Sequence, residues 1–456
     1  MTTVRTPALV RLAAALAIFV LTAGALVVGA RAIADGGVIR IGAVFPISSN
    51  AAGLARPELA GVQIAANLVN ADGGIDGRRI ELVVRDLPSR AAADGVMTGL
   101  KQDGVQIVIG AYSSDLSIAA SEAAARHGLL YWEAGAVADR LTGQGLPMVF
   151  RVGASGANLG RNSADFAASE LAARLGKQVS NVRVAIAVAD DAYASSVADA
   201  AQSTAEARGM PVVIRRSYSL SAPDFPAVMA DLAAAKPDVI ILASHIPDGI
   251  AFRQAMVTSG LKVGALIGST MAECDPDFAG ELGTAAIGIF ASDRPTAGFQ
   301  SSALSPSAAA TYARFASAWA AVAPRVDGTP SGDSEYGYGA NEEYTIHGPD
   351  SDATAEQNEE ALAGFSAAWA LFHHVLPTTG GVFDAASVAT AARAINLPEG
   401  ALPNGAGLRF SSDPARLGQN ELAAAVIWQW QAVQSYEFVW PPTYATGQIA
   451  FVPLDR

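Results

Sequence analysis

Apolar residues along this chain come in short solid runs, and between the runs lie longer stretches that are apolar on one face only. Val38-Ile-Arg-Ile-Gly-Ala-Val-Phe45 reads as a buried strand. After a loop, Pro57 and Glu58 open a helix to residue 71, with Leu59, Val62, Ala66 and Val69 on one face. The turn cluster at 71–77 leads to a second strand at 80–86, then to a helix at 91–102. Residues 106–109 are a third strand, broken at Gly110 and followed by a helix at 116–126. Residues 129–132 are a fourth strand, with Glu133-Ala134-Gly135-Ala136 as its exit loop. A second set follows, with a helix at 162–175, strands at 182–188, 212–217 and 239–242, helices between them, and a strand with its exit loop at 266–273. Strands alternating with helices predict an α/β fold of two doubly wound parallel-sheet lobes. In open sheets of this kind ligands bind beyond the C-terminal ends of the strands.

Those ends are where the candidate chemistry lies. Between residues 110 and 115 the chain passes from strand to helix through Tyr112, Ser113 and Ser114. A helix N-terminus there offers free backbone N–H groups beside two hydroxyls, a combination suited to a carboxylate. The same serines could simply cap the helix. In the second set the strand exits carry Asp191 and Tyr193, His245, and Glu273. The Tyr193 ring offers a face for apolar or cation–π contact.

Composition removes several classes of function. The 456 residues suit two or three domains and are 51% hydrophobic and 16% charged. A net charge of −13 argues against a nucleic-acid partner. With Cys274 as the one cysteine, neither a disulfide framework nor a cysteine metal site can form, and no cofactor or metal is expected. No dinucleotide fingerprint, nucleophile elbow, zinc-protease motif or P-loop is present, so no enzyme is expected. His373 and His374 are adjacent in a helical pattern and cannot face one metal together.

Near the N-terminus, Arg5 and Arg11 precede an uncharged apolar run at 12–30, and Arg31 closes it. Residues 1–34 therefore read as a signal peptide or a membrane anchor. No cysteine follows, so a lipoprotein anchor is not expected. The body would be exported, to the periplasm or the outer face of the cytoplasmic membrane. An acidic stretch at 327–360 holds ten Asp and Glu residues. It reads as a solvated surface loop, with a cation site at Asp350 and Asp352 or a docking surface as alternatives.

Several of these stretches, in order, resemble one family. Ile41-Gly-Ala-Val-Phe-Pro46, Gly61, Asn70-Ala-Asp-Gly-Gly-Ile-Asp-Gly-Arg78 and Glu81-Leu-Val-Val-Arg-Asp86 are similar to the opening of the type I periplasmic binding proteins. More narrowly they resemble the substrate-binding proteins of branched-chain amino acid ABC transporters, the Leu/Ile/Val-binding protein family. Ile109-Gly-Ala-Tyr-Ser-Ser114, Asp191-Ala-Tyr193, Trp428-Gln-Trp430 and Trp440-Pro-Pro-Thr-Tyr-Ala-Thr446 extend the likeness to the C-terminus. The resemblance implies a three-crossover hinge between lobe 1 (38–156 and 292–408) and lobe 2 (157–291 and 409–456). It implies ligand contact from Tyr112, Ser113, Ser114, Ala134, Gly135 and Ala136 in lobe 1, and from Asp191, Tyr193, His245 and Glu273 in lobe 2. Glu273 would take the ammonium of an amino acid. Glu133 departs from the small residue common at its position and offers a ligand cation a second carboxylate. The implied function is capture of a small polar ligand, an amino acid or a related amide or urea-like compound, by hinge closure, and delivery to an ABC permease. A ligand-binding sensor ectodomain working with a partner signalling chain is the alternative.

Overall fold

The computed structural model describes residues 37–270, 272–273, 276–296, 298–322, 359–433 and 435–454. The apolar run at 12–30, Cys274, and the acidic stretch through residue 358 lie outside the described residues. Two sheets organise what is described. The first has the order β2-β1-β3-β4-β5, built from β1 (Val38–Phe45), β2 (Arg79–Asp86), β3 (Ile107–Gly110), β4 (Leu130–Glu133) and β5 (Val149–Arg151). All its pairs are parallel. The second joins β6 (Val184–Ala189), β7 (Val212–Tyr218), β8 (Val239–Ala243), β9 (Ala265–Ser269), β10 (Phe290–Asp293), β11 (Val426–Ala432) and β12 (Ser435–Trp440), in the order β12-β11-β10-β9-β8-β6-β7. β11 runs antiparallel to both β10 and β12, while the other pairs are parallel. The chain is thus the expected α/β fold of doubly wound sheets, with an antiparallel margin on the second.

Local chemistry moved several boundaries. The first helix, α1 (Ala52–Ala71), starts before Pro57, which lies inside it. Ala52 and Ala55 are buried, so packing carries the helix through a residue that would otherwise start it. β4 runs one residue later than its apolar run suggests, because Glu133 pairs with Gly110 and Arg151 as the last rung of the ladder. β5 has only three residues and gives no periodic signal. α2 (Ser114–Arg126) begins directly at the serine turn. α3 (Gly156–Phe166) starts well before residue 162 through a capping box. In it Ser155 Oγ accepts from Asn158 N at 3.2 Å, and Asn158 Oδ1 accepts from Ser155 N at 3.0 Å.

Small residues set how closely the helices approach. α7 (Glu359–Trp369) crosses α1 at a pair of glycines. A Cβ on Gly61 would lie 2.0 Å from Ala361 O, and one on Gly364 2.0 Å from Glu58 O, so both positions require the absence of a side chain. α3 meets α4 (Ala192–Ala207) in the same way, with Gly160 facing Val197 O, and Gly249 of α5 (Ile246–Ser259) faces Ala272. α6 (Pro306–Val322) is tied to the end of α1 by Arg314, whose two Nη atoms each donate to Asp72 at 2.9 Å.

The chain passes between the sheets after β5, after β10 and again on the way to β11. Buried Arg151, at the end of β5, clamps the last passage. Its Nε donates to Gln419 Oε1 at 2.5 Å and its Nη1 to Ala138 O at 2.7 Å. Asn420 Nδ2 donates to Val152 O at 2.9 Å. Phe410 packs edge-on against Trp132 and Phe150, with ring centroids 5.3 and 5.0 Å away. Such aromatic contacts add about 0.5–1.5 kcal/mol each beyond area burial.

Candidate functional site

The turn between β3 and α2 is shaped by its backbone. Tyr112 has φ +72°, a left-handed conformation that a bulky side chain seldom adopts. Two hydrogen bonds hold it there, Ser113 N to Ala111 O at 2.9 Å and Ala111 N to Ser117 Oγ at 3.1 Å. Ser113 occupies the N-cap position of α2, but its side chain makes no capping hydrogen bond. The first-turn N–H groups of α2 therefore receive no side-chain cap. Ser114 Oγ is engaged, accepting from Ala138 N at 3.1 Å.

A cleft of about 210 Å³ opens over this turn and lies between the two sheets. Tyr112, Ser113, Ser114, Gly135 and Ala136 line it from the first sheet, joined by Ala51, Asp115 and Val137. Asp191, Tyr193, His245 and Thr270 line it from the second, and Arg294 lies where the chain leaves β10. Eight of the residues picked out in the sequence are thus brought together.

Three are not. Ala134 is buried beside the cleft and contributes no wall. Glu133 is fully buried, and its carboxylate serves its own loop. Oε1 accepts from Gly135 N at 2.9 Å and Ala136 N at 2.7 Å, and Oε2 accepts from the Tyr131 hydroxyl at 3.1 Å. Two backbone donors expected to face a ligand are therefore already paired. Glu273 is also fully buried, folded against Gly268, where a Cβ would lie 1.9 Å from its carboxyl carbon. Oε1 receives the Ser244 hydroxyl at 3.5 Å, and Oε2 has no partner among the described residues. Burial pushes the Glu273 carboxyl up to about 8, so it is largely neutral at pH 7.

On the second sheet's side, Asp191 is fully committed. Oδ1 caps α4 by accepting from Ala194 N at 2.7 Å, and Oδ2 lies 3.0 Å from His245 Nε2. Burial pulls the His245 imidazole down, but Asp191, Asp248 and, from across the cleft, Asp115 outweigh it and leave it above the ordinary histidine value. The Tyr193 hydroxyl turns inward to Ser269 O at 2.7 Å and Thr270 O at 2.6 Å, while its ring meets His245 edge-on.

Arg294 and Thr270 were missed in the sequence. Arg294 is 5% exposed. Its Nε donates to Glu359 Oε1 at 2.6 Å, its Nη1 to Gly135 O at 2.8 Å, and its Nη2 pairs with the same Glu359 oxygen. Burial would lower its basicity, but Glu359, Asp293 and Glu58 raise it, so it stays charged. Asp293 beside it is held well above the carboxylate range by burial and by Glu359. Glu58, buried against Gly135, is raised by burial and by Glu133. A charged pair straight after the buried run Phe290-Ala-Ser was the signal available in the sequence.

Two facing sheets with a polar cleft at their strand ends define a two-lobed solute-binding fold. The chain belongs to the periplasmic binding protein family, whose model matches residues 38–344. That family, with its structural neighbours, consists of binding proteins of transporters and not of enzymes. Leu/Ile/Val-binding protein homolog 8 of Brucella abortus (strain 2308) is 28% identical over 395 residues, which cover 86% of this chain and 88% of that protein. The substrate-binding protein LivJ of a branched-chain amino acid transporter from Streptococcus pneumoniae, solved with isoleucine, is 19% identical with a TM-score of 0.64, covering 89% of this chain and all of that one. A solute-binding protein of an ABC transporter from R. palustris, solved with benzoate, is 18% identical with a TM-score of 0.63, covering 90% of this chain and 98% of that one. Among the described residues no helix is long and apolar enough to cross a membrane.

Proposed function

We propose that this chain is the extracytoplasmic solute-binding component of an ABC importer. It captures a small polar solute of about amino-acid size between its lobes, closes by rotation at the three chain passages, and delivers the solute to a membrane permease. The observation that carries this reading is a cleft whose walls come from both sheets and whose turn at Ser113 keeps hydrogen-bond donors unspent. A ligand touching both walls favours the closed form only by its differential affinity for it. The family and its transporter-associated relatives support the same role.

The test uses the solute recovered from the purified protein and identified by mass spectrometry. Its saturating addition to stripped protein is expected to reduce the radius of gyration in small-angle X-ray scattering. Ser113→Ala, which removes a hydroxyl with no partner among the described residues, should weaken binding by about 1.5–3 kcal/mol while leaving the thermal midpoint unchanged. An identical radius of gyration with and without solute would defeat hinge closure.

A further inference from the structure

We infer that the cleft selects a small carboxylate that carries no α-ammonium group: a carboxylic acid anion with an apolar body, and not an amino acid. This rests on the solute-binding reading above and narrows its substrate class.

On the cleft wall hydrogen-bond donors remain free while the carboxylates are paired. On the donor side stand the Ser113 hydroxyl, the uncapped first turn of α2, and Arg294. Arg294 has five N–H groups. Its contacts to Glu359 and Gly135 O use three, which leaves one N–H on each Nη without a partner among the described residues. A guanidinium that is nineteen-twentieths buried and lines a cleft is a strong site for a carboxylate oxygen.

On the acceptor side, the two carboxylates that line the cleft, Asp115 and Asp191, are both paired, while Glu58, Asp293 and Glu359, which keep oxygens without a partner among the described residues, lie buried behind the wall. Asp191 spends one oxygen on the α4 cap and the other on His245. Glu133 accepts three hydrogen bonds from its own strand and loop. Glu273 lies over Gly268 and is absent from the cleft wall. Asp115 stands half-exposed, 3.8 Å from Arg90. An ammonium brought into this cleft would lose its water without meeting an unpaired carboxylate on the wall, a heavy penalty for a buried charge. A carboxylate alone meets unspent donors at one end, with Ala51, Val137 and the Tyr193 ring for its apolar body.

Calorimetric titration of wild-type protein, stripped of co-purified solute by unfolding and refolding, tests this. The probes are matched pairs: isoleucine and its desamino acid, and phenylalanine and phenylpropanoate. At least one desamino acid is expected to bind about tenfold or more tighter than its amino acid. Equal or tighter binding by the amino acids overturns the inference and leaves the solute-binding reading standing. If no pair binds, the solute released from the purified protein decides. A carboxylate without an amine supports the inference and an amine-bearing solute overturns it, while no released solute at all overturns both readings. Arg294→Gln, checked for folding by circular dichroism, should weaken carboxylate binding about tenfold or more. Unchanged affinity in the folded variant overturns the inference, and should the variant not fold, the wild-type titrations still decide.

Discussion

Each lobe buries one glutamate at the C-terminal edge of its sheet, and the two are served very differently. Glu133 ends β4, and the chain turns back at once, so the N–H groups of Gly135 and Ala136 point at its carboxylate. Glu273 lies four residues beyond the end of β9, past the point where Thr270 N has bonded Ser292 O, and no backbone donor returns to its Oε2. Burial raises both carboxyls, but at Glu133 the Ser117, Ala136 and Gly135 donors pull back against it. At Glu273 the backbone N–H groups of Glu273 and Ser269 and the Ser244 hydroxyl also pull back, but the Asp248 charge adds to burial and the carboxyl stays near 8. Residue type and strand-end placement do not fix what a buried carboxyl does; how well the surrounding donors reach both of its oxygens, and the sign of the charge beside it, do: Arg151 lowers Glu133, whereas Asp248 raises Glu273.

The largest expected effect comes from removing the poorly served charge. Glu273 has an ordinary value of 4.5 and sits near 8 when folded. A raised carboxyl gives its full stabilisation below the unfolded value, and the protein loses it as pH rises from about 4.5 to about 8, because the unfolded chain ionises first. The loss is on the order of 4 kcal/mol. Glu273→Gln does not titrate. Its stability in urea should match wild type near pH 4.5 and exceed it by several kcal/mol at pH 8. Parallel curves for the two proteins across that range would mean that Glu273 is hydrated and that the contrast with Glu133 is false.

Glu133 should respond in the opposite sense. Glu133→Ala strands two backbone N–H groups and the Tyr131 hydroxyl in a dry site, which should cost roughly 3 kcal/mol or more at any pH. Glu133→Gln keeps a carbonyl oxygen for Gly135 and Ala136, and the Tyr131 hydroxyl can accept from the new amide, so it should cost less than about 1 kcal/mol. Equal losses in the two variants, measured by urea denaturation at pH 7, would show that volume rather than hydrogen bonding sets the value of this side chain.

The contrast also explains what the sequence could reveal. The strand and helix alternation was legible because burial on both faces writes itself as runs such as Val182 to Val188 and Val239 to Leu242. The serine turn was legible because strand, glycine, hydroxyls and helix follow one another without a gap. What could not be read were arrangements made across long sequence separations. Arg294 meets Glu359 across 65 positions, and Glu58 is buried between Gly135 of the β4 exit loop and Gly364 of α7. In the sequence Glu58 therefore reads only as part of a helix start. Glu133 and Glu273 looked like ligand contacts because strand ends were counted, while the direction of each carboxyl depends on one or two backbone angles after the strand.

The smallest effect tests how the Glu273 loop is closed. The Tyr193 hydroxyl lies within bonding distance of Ser269 O and Thr270 O and so fastens the exit of β9, just before Glu273, to the start of α4. Tyr193→Phe keeps the ring against His245 and removes this tether. It should lower stability by about 1 kcal/mol at pH 5. If the tether helps to keep water from Glu273, the variant's carboxyl will move back toward its ordinary value. The decline in stability between pH 5 and pH 8 will then be shallower than in wild type, so the gap between the two proteins narrows as pH rises. Melting temperatures taken across that range read both effects at once. A constant gap at every pH would show that the burial of Glu273 is set by Gly268 and the sheet beneath it, independently of Tyr193.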